Sequence, residues 1–233
     1  KAGIRPDCLY VTPATAARTA ALAAHLGSDA RSAPTVDLVD FDPDGERKVA
    51  AAALYAASSL PERQVRDAVA AMGDDEVDEV FAAYVGRRGN RRHKPGRAME
   101  QTFYRFDVLC DYGIFRDLQR HRMLTIEWQE LSPHHGYLTP HTIADVGATS
   151  AWHRSMDDMA ELYEGLASAV SPTVAQYAVP FAYNVRFAMN LNAREAFHML
   201  ELRTQQGGHP DYRRVCQMMH DQIPEGAGHH RIA

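Results

Sequence analysis

Between residues 36 and 223, apolar and polar positions change period several times, and each change predicts a new element. Val36 to Phe41, "VDLVDF", is a short β-like run closed by the turn residues Asp42, Pro43, Asp44 and Gly45. Helical patterns follow over Glu46–Ser58, Pro61–Met72, where Pro61 suits a first turn, and Glu76–Tyr84. Gly86–Arg97, "GRRGNRRHKPGR", mixes Gly, Pro and basic residues and predicts a loop. From Met99, the positions Met99, Phe103, Phe106, Cys110 and Ile114 recur at helical spacing and predict a helix with one buried face. "MLTIEW" has strand parity, Leu124 and Ile126 against Thr125 and Glu127, so the chain changes element near residue 121. Trp152, Met156, Met159, Leu166 and Val170 mark a long helix interrupted at Ser171-Pro172, and Pro180 separates a further apolar segment. "NLNAREAFHMLELRTQQ" reads as helix ended by Gly207, Gly208 and Pro210. A last helix, Asp211–Ile223, would bury Tyr212, Val215, Met219 and Ile223, and "EGAGHHRIA" reads as disordered. Residues 13–26 form an alanine-rich helical pattern with few large side chains to bury.

The apolar share, 45% of 233 residues, suffices for a real core. A net charge of −5 supplies no global field for nucleic acid or an anionic membrane, so an anion site has to be built locally. Cys8, Cys110 and Cys216 are an odd, scattered set, which argues against a disulfide framework or a zinc ribbon and favours a reducing cytoplasm. No apolar run reaches the ~18 residues that span a bilayer. The chain opens at Lys1 without a methionine, which suggests a piece of something longer.

The candidate chemistry begins at Arg120-His121-Arg122, which either holds a polyanion or is a solvated charge cluster at an element end. In a continuous helix the two arginines would project about 200° apart. At a junction they can share a face, and guanidinium forks match phosphate oxygens. In "NLNAREAFHMLELR", Asn192 and Arg203 fall on one helix face about three turns apart and could line an elongated ligand. The alternative is a buried Asn192 capped by a loop and an Arg203 paired with Glu201 or a neighbour. The adjacent pairs His134-His135 and His229-His230 diverge and lack a metalloprotease pattern, so no metal is expected. Walker, dinucleotide-binding and nucleophile-elbow motifs do not occur. The basic loop residues Arg87, Arg88, Arg91, Arg92 and Lys94 are a weak nucleic-acid signal in an acidic chain with no recognisable binding motif.

Taken in order, "GRAMEQTFYRFDV", "LQRHRMLTIEWQELS" and, roughly sixty residues on, "NLNAREAFHMLELR" resemble the flavin-dependent thymidylate synthases over about residues 36–223. The resemblance implies an α/β (α+β) fold with helices packed on a mixed sheet, spanning 35–223 between a linker or peripheral helix at 1–34 and a flexible tail at 224–233. It implies a homotetramer, or a tandem-domain equivalent, with FAD sites at subunit interfaces. The implied reaction methylates C5 of dUMP, with methylenetetrahydrofolate as carbon donor and NADPH as reductant of FAD. By position, Arg120, His121, Arg122 and Asn192 would contact FAD, with His93 and Ser58 as looser matches. Arg203 would face flavin and uracil, where a fixed cation stabilises developing negative charge.

The family pattern R-H-R-x-x-S-x-N-x-x-S-x-R is departed from on its nucleotide side. Without a gap, Thr125, Glu127, Glu130 and Ser132 stand at its last four fixed positions, and Glu130 would repel a phosphate dianion. A two-residue insertion aligns Glu130-Leu131-Ser132 with an "E-L-S" variant and makes Ser132 the nucleotide-binding, catalytic serine, leaving His134 where an arginine is expected. Gln176 stands in for a further nucleotide arginine and Asp117 for a glutamine before the triplet. The pattern suits the C-terminal half of a tandem protein, a relative acting on another uracil nucleotide such as UMP, or a noncatalytic domain that keeps the fold.

Overall fold

The computed structural model describes residues 13–26 and 35–233. It divides into two units, residues 1–33 and 34–233. In the first, helix α1 (Pro13–Ala23) carries its described side chains exposed, as its alanine-rich composition predicts. Residues 1–12 and 27–34 of the expected 1–34 linker, with Cys8, lie outside the described residues.

In the second unit β1 (Val36–Phe41) is followed by α2 (Gly45–Ala57), α3 (Glu62–Ala70) and α4 (Asp74–Val85). Then come β2 (Phe103–Asp111), α5 (Tyr112–Leu118), β3 (Leu124–Trp128), α6 (His141–Asp145), α7 (Thr149–Ala169) and α8 (Pro172–Ala175). β4 (Asn184–Asn192), α9 (Ala193–Arg203) and α10 (Pro210–Ala227) complete it. The four strands form one sheet in the order β1-β2-β4-β3. Helices pack on a sheet as expected, but every pairing is antiparallel, not mixed.

Two expected elements are corrected here. The segment after Met99 is a short 3-10 turn, Arg97–Gln101, followed by the central strand β2. Tyr104, Phe106, Val108 and Cys110 alternate inward while Arg105, Asp107 and Asp111 lie on the opposite, partly exposed face. Spacings of three and four can be drawn through any dense apolar run, and pairing with β1 and β4 selects the period of two. Likewise "NLN" closes β4 before α9 begins.

One sheet face meets the core: α5 packs on β2 and β4, α9 on β4, and α10 on β1 and β2. Phe106, Phe187, Met189 and Met199 are at most 1% exposed there. On the other face, Arg186 pairs with Asp107 at 2.8 Å and Arg105 with Glu127 at 3.1 Å, which keeps that face polar. Cys110 and Cys216 are free and buried, and burial pushes the Cys216 thiol up to about 12, leaving little reactive thiolate. Among the described residues no helix is long and apolar enough to cross a membrane.

The C-terminal stretch is a third correction, because residues 224–233 are packed rather than flexible. α10 runs on through Pro224 to Ala227, and His229 and Ile232 are buried. Arg231 Nη1 bonds Glu46 Oε2 at 2.5 Å and its Nε reaches Asp78. Polar composition conceals an anchor built of few residues: the His229 Nδ1 lies 2.8 Å from the Tyr104 hydroxyl. Burial holds the His229 imidazole below its ordinary value although Glu46 and Asp42 oppose that shift. Below about pH 6.5 the unfolded chain therefore binds a proton that the folded chain refuses, and stability falls with pH. The melting temperature should drop more between about pH 7.5 and 5.5 for the native chain than for His229→Gln; equal drops would remove His229 from the account.

Candidate functional site

The triplet sits where α5 gives way to β3. Asp111 caps α5 by accepting from Ile114 N at 2.9 Å, and Ile114, Phe115 and Leu118 bury its inner face. After Gln119 the backbone tightens, with His121 N donating to Leu118 O at 3.1 Å. This turn sends His121 inward, 7% exposed, and leaves Arg120 and Arg122 exposed on either side of it. The angular objection that applies within a helix does not arise at this junction.

Asn192 ends β4 and caps α9, its Oδ1 accepting from Glu195 N at 2.9 Å. That satisfies one orphan donor of the first turn. Ala196, Met199 and Leu200 then face the core, and Arg194, His198 and Arg203 line a cavity of about 620 Å³. Arg120, His121, Arg122 and Asn192 line the same cavity. Four arginines and Lys94, five cationic side chains in all, outnumber the carboxylates of Glu100 and Glu195, so the space suits an anion.

Arg203 does not pair with Glu201. Its Nε donates to His121 Nε2 at 3.1 Å, its Nη2 to the Asp117 carbonyl at 2.8 Å, and its plane lies over Tyr212 at 5.3 Å. Asp117 also pairs with Arg120. Glu201 instead receives Arg88 in a two-pronged pair at 2.6 and 2.8 Å. With Arg194 Nε donating to Pro95 O at 3.0 Å, this pins the basic loop onto α9. Gly96 belongs to the same docking, because a Cβ there would collide with the Tyr84 hydroxyl, which accepts from Ala98 N at 2.8 Å.

The other candidates lie elsewhere. Ser58 is exposed at the end of α2, its hydroxyl donating to Tyr55 O. His93 is exposed and accepts from Gly89 N through Nδ1 at 3.1 Å, and Lys94 rather than His93 lines the cavity. Leu131 lines a separate cavity of about 450 Å³ with Gln176, whose Oε1 accepts from Leu131 N at 3.0 Å. Glu130 is exposed beside it. Ser132 caps the turn Pro133–His135, and His134 pairs with Glu164 at 2.8 Å. Of the departures from the family pattern, Glu130 and Ser132 thus flank the Leu131–Gln176 contact, while Asp117 lies apart from them beside Arg120 and Arg203.

Sequence reasoning missed Glu195 and His198 as cavity residues. Their signal was available: both fall inside "NAREAFH", three residues apart, a spacing that brings helix side chains together.

A four-stranded antiparallel sheet with helices on one face and an arginine-rimmed cavity at a strand-to-helix junction defines an α+β protein. The family model for thymidylate synthase complementing protein matches residues 37–227, and the chain belongs to that family. Over 185 residues it is 40% identical to a UPF0159 protein of Chlamydia pneumoniae, covering 79% of this chain and 35% of that protein. A UPF0159 protein of Chlamydia muridarum is 36% identical over 181 residues, 78% of this chain and 34% of its own length. The chain therefore spans about a third of the length of these curated relatives. Among solved structures, a UMP/dUMP methylase PolB from Streptomyces cacaoi bound with 5-Br dUMP superposes with a TM-score of 0.64 at 19% identity, covering 86% of this chain and 95% of that one. Flavin-dependent thymidylate synthase ThyX from Helicobacter pylori, complexed with FAD and dUMP, gives a TM-score of 0.59 at 18% identity over 83% and 95% of the two chains. The fold is theirs.

Proposed function

We propose that this chain is a flavin-dependent methyltransferase domain that adds a one-carbon unit from methylenetetrahydrofolate to C5 of a uracil nucleotide, dUMP or UMP. The observation that carries it is the convergence of two exposed guanidiniums, Arg120 and Arg122, with Asn192 and Arg203 on one cavity inside a chain of this family.

The residues present fit FAD. Arg120 and Arg122 bind its diphosphate, with Lys94 and Arg194 on the rim adding positive charge. The Asn192 side-chain N–H groups remain to donate once Oδ1 has capped α9. When bound, FAD reduced by NADPH supplies hydride. Arg203, with only 12% of its side chain exposed, holds a fixed positive charge where the uracil ring becomes electron-rich. Ser58, His93 and the Glu130-Leu131-Ser132 stretch do not share that cavity within one chain. A homotetramer or a tandem partner half would bring such groups to a shared site, with Ser132 as the nucleotide-side hydroxyl. The setting is a reducing cytoplasm, where Cys110 and Cys216 stay thiols.

A second reading has a specific observation in its favour. Around Leu131 an amide, Gln176, stands where a phosphate would need a guanidinium, and Glu130 adds negative charge. A domain that holds FAD but leaves nucleotide binding to another half fits that arrangement.

The test is the visible spectrum of the folded chain after incubation with FAD and desalting. Retained flavin absorption is expected, and Arg120→Ala should weaken FAD binding roughly tenfold, the loss of one charge-assisted hydrogen bond. A folded wild-type chain that emerges colourless sinks the flavin reading. Spectral shifts on titration with dUMP or UMP separate the enzyme from the FAD-only domain.

A further inference from the structure

Two buried groups of the cavity, Glu195 and His121, belong to one hydrogen-bonded cluster. Glu195 is 5% exposed, and its two oxygens meet two different imidazoles. Oε1 lies 2.9 Å from His121 Nδ1 and Oε2 lies 3.3 Å from His198 Nδ1. The imidazole rings stand edge to face with centroids 5.3 Å apart. On its far side, His121 Nε2 receives the Arg203 Nε–H at 3.1 Å.

A guanidinium can only donate, so His121 Nε2 must carry a lone pair. A neutral ring then has its proton on Nδ1, pointed at Glu195 Oε1. The second carboxylate oxygen accepts from His198 in the same way, which puts the proton of a neutral His198 ring on Nδ1 and its lone pair on Nε2. Burial raises the Glu195 carboxyl, but the hydrogen bonds from His121 and His198 outweigh it and hold the group ionised below its ordinary range.

We infer that Glu195 is a positioning residue of this site: together with Arg203 it fixes both imidazoles as Nδ1–H tautomers, so that His198 offers a lone pair, not an N–H, to a ligand. The ligand chemistry this selects is an imide N–H, which flavin and uracil rings both present. The assignment to flavin or uracil rests on the proposed function; the tautomers do not.

The same three side chains bring donor atoms within 4.8 Å of one another, a spacing open to a cation. A metal on His121 Nδ1 would need a lone pair where Arg203 imposes a proton. The hydrogen-bonded arrangement is therefore the one the geometry supports.

Histidine-selective nitrogen NMR of the chain without FAD tests this directly, with His121→Asn and His198→Asn used to assign the two resonance pairs. Both rings should show the Nδ1–H pattern. In Glu195→Gln the amide oxygen can still accept from His121, but its NH₂ faces His198, so His198 alone should switch to Nε2–H. FAD affinity of that variant should fall roughly tenfold. An Nε2–H pattern for either ring in the wild type, or no switch at His198 in Glu195→Gln, overturns the inference. So does Zn²⁺ binding with loss of the Nδ1–H signals. Expected tautomers in a chain that retains no FAD would support the clamp while removing the flavin reading alone.

Discussion

On the proposed function, replacing Arg203 by alanine should lower the rate of nucleotide methylation by roughly a hundredfold or more, the scale for removing one preorganised group from developing charge. The expectation rests on how completely this side chain is fixed. Two hydrogen bonds, to His121 and to the Asp117 carbonyl, and the face of Tyr212 set its plane. Alanine leaves the Asp117 carbonyl and His121 Nε2 unpaired. Lysine keeps a charge but cannot span both partners, so Arg203→Lys should recover little of the loss. Turnover of dUMP or UMP with methylenetetrahydrofolate, FAD and NADPH measures both variants. A lysine variant near the wild-type rate would show that charge alone suffices and that the fork geometry is irrelevant.

The largest effect on stability is expected at Phe187, in the strand that joins both halves of the sheet. It is 1% exposed, and its ring meets Phe115 edge to face at 5.0 Å. Phe187 stands opposite Val108 on β2 and Trp128 on β3. Alanine would remove the ring and leave a cavity that neighbours on three elements cannot collapse, costing about 3–5 kcal/mol. Urea denaturation should show the midpoint falling at an unchanged slope. Because Phe115 belongs to the short helix that delivers the triplet, FAD retention should weaken in the same variant. A change under about 1 kcal/mol would contradict the reading of this contact as a core contact.

Much of the site was legible because it depends on local chemistry. A change of element at Arg120-His121-Arg122 was expected and the structure turns the chain there, although the helix that ends at it is the short α5 and most of the pattern read as helix is strand β2. Asn192 and Arg203 do share a cavity, though Asn192 reaches it as a helix cap and not as a helical residue. What could not be read depends on distant partners. β2 looked helical because residues at three and four apart are also apolar in a strand with bulky residues on both faces, and only β1 and β4 decide between the periods. The final residues looked disordered because Arg231 and His229 are polar, while the acids and the phenol that bind them lie more than a hundred residues earlier. Ser58 and His93 match a family pattern by order along the chain, which says nothing about whether their side chains reach one cavity.

The strand order β1-β2-β4-β3 has a consequence for how this molecule is made. β4 is inserted between β2 and β3 although it is synthesised after both. Until residue 192 has left the ribosome, β3 has no neighbour, the triplet has no facing helix, and β2 presents an open edge. Such non-local pairing is slow and leaves apolar surface waiting. A nascent or truncated chain that stops before Asn184 should therefore bind chaperones and aggregate, however complete its arginine motif.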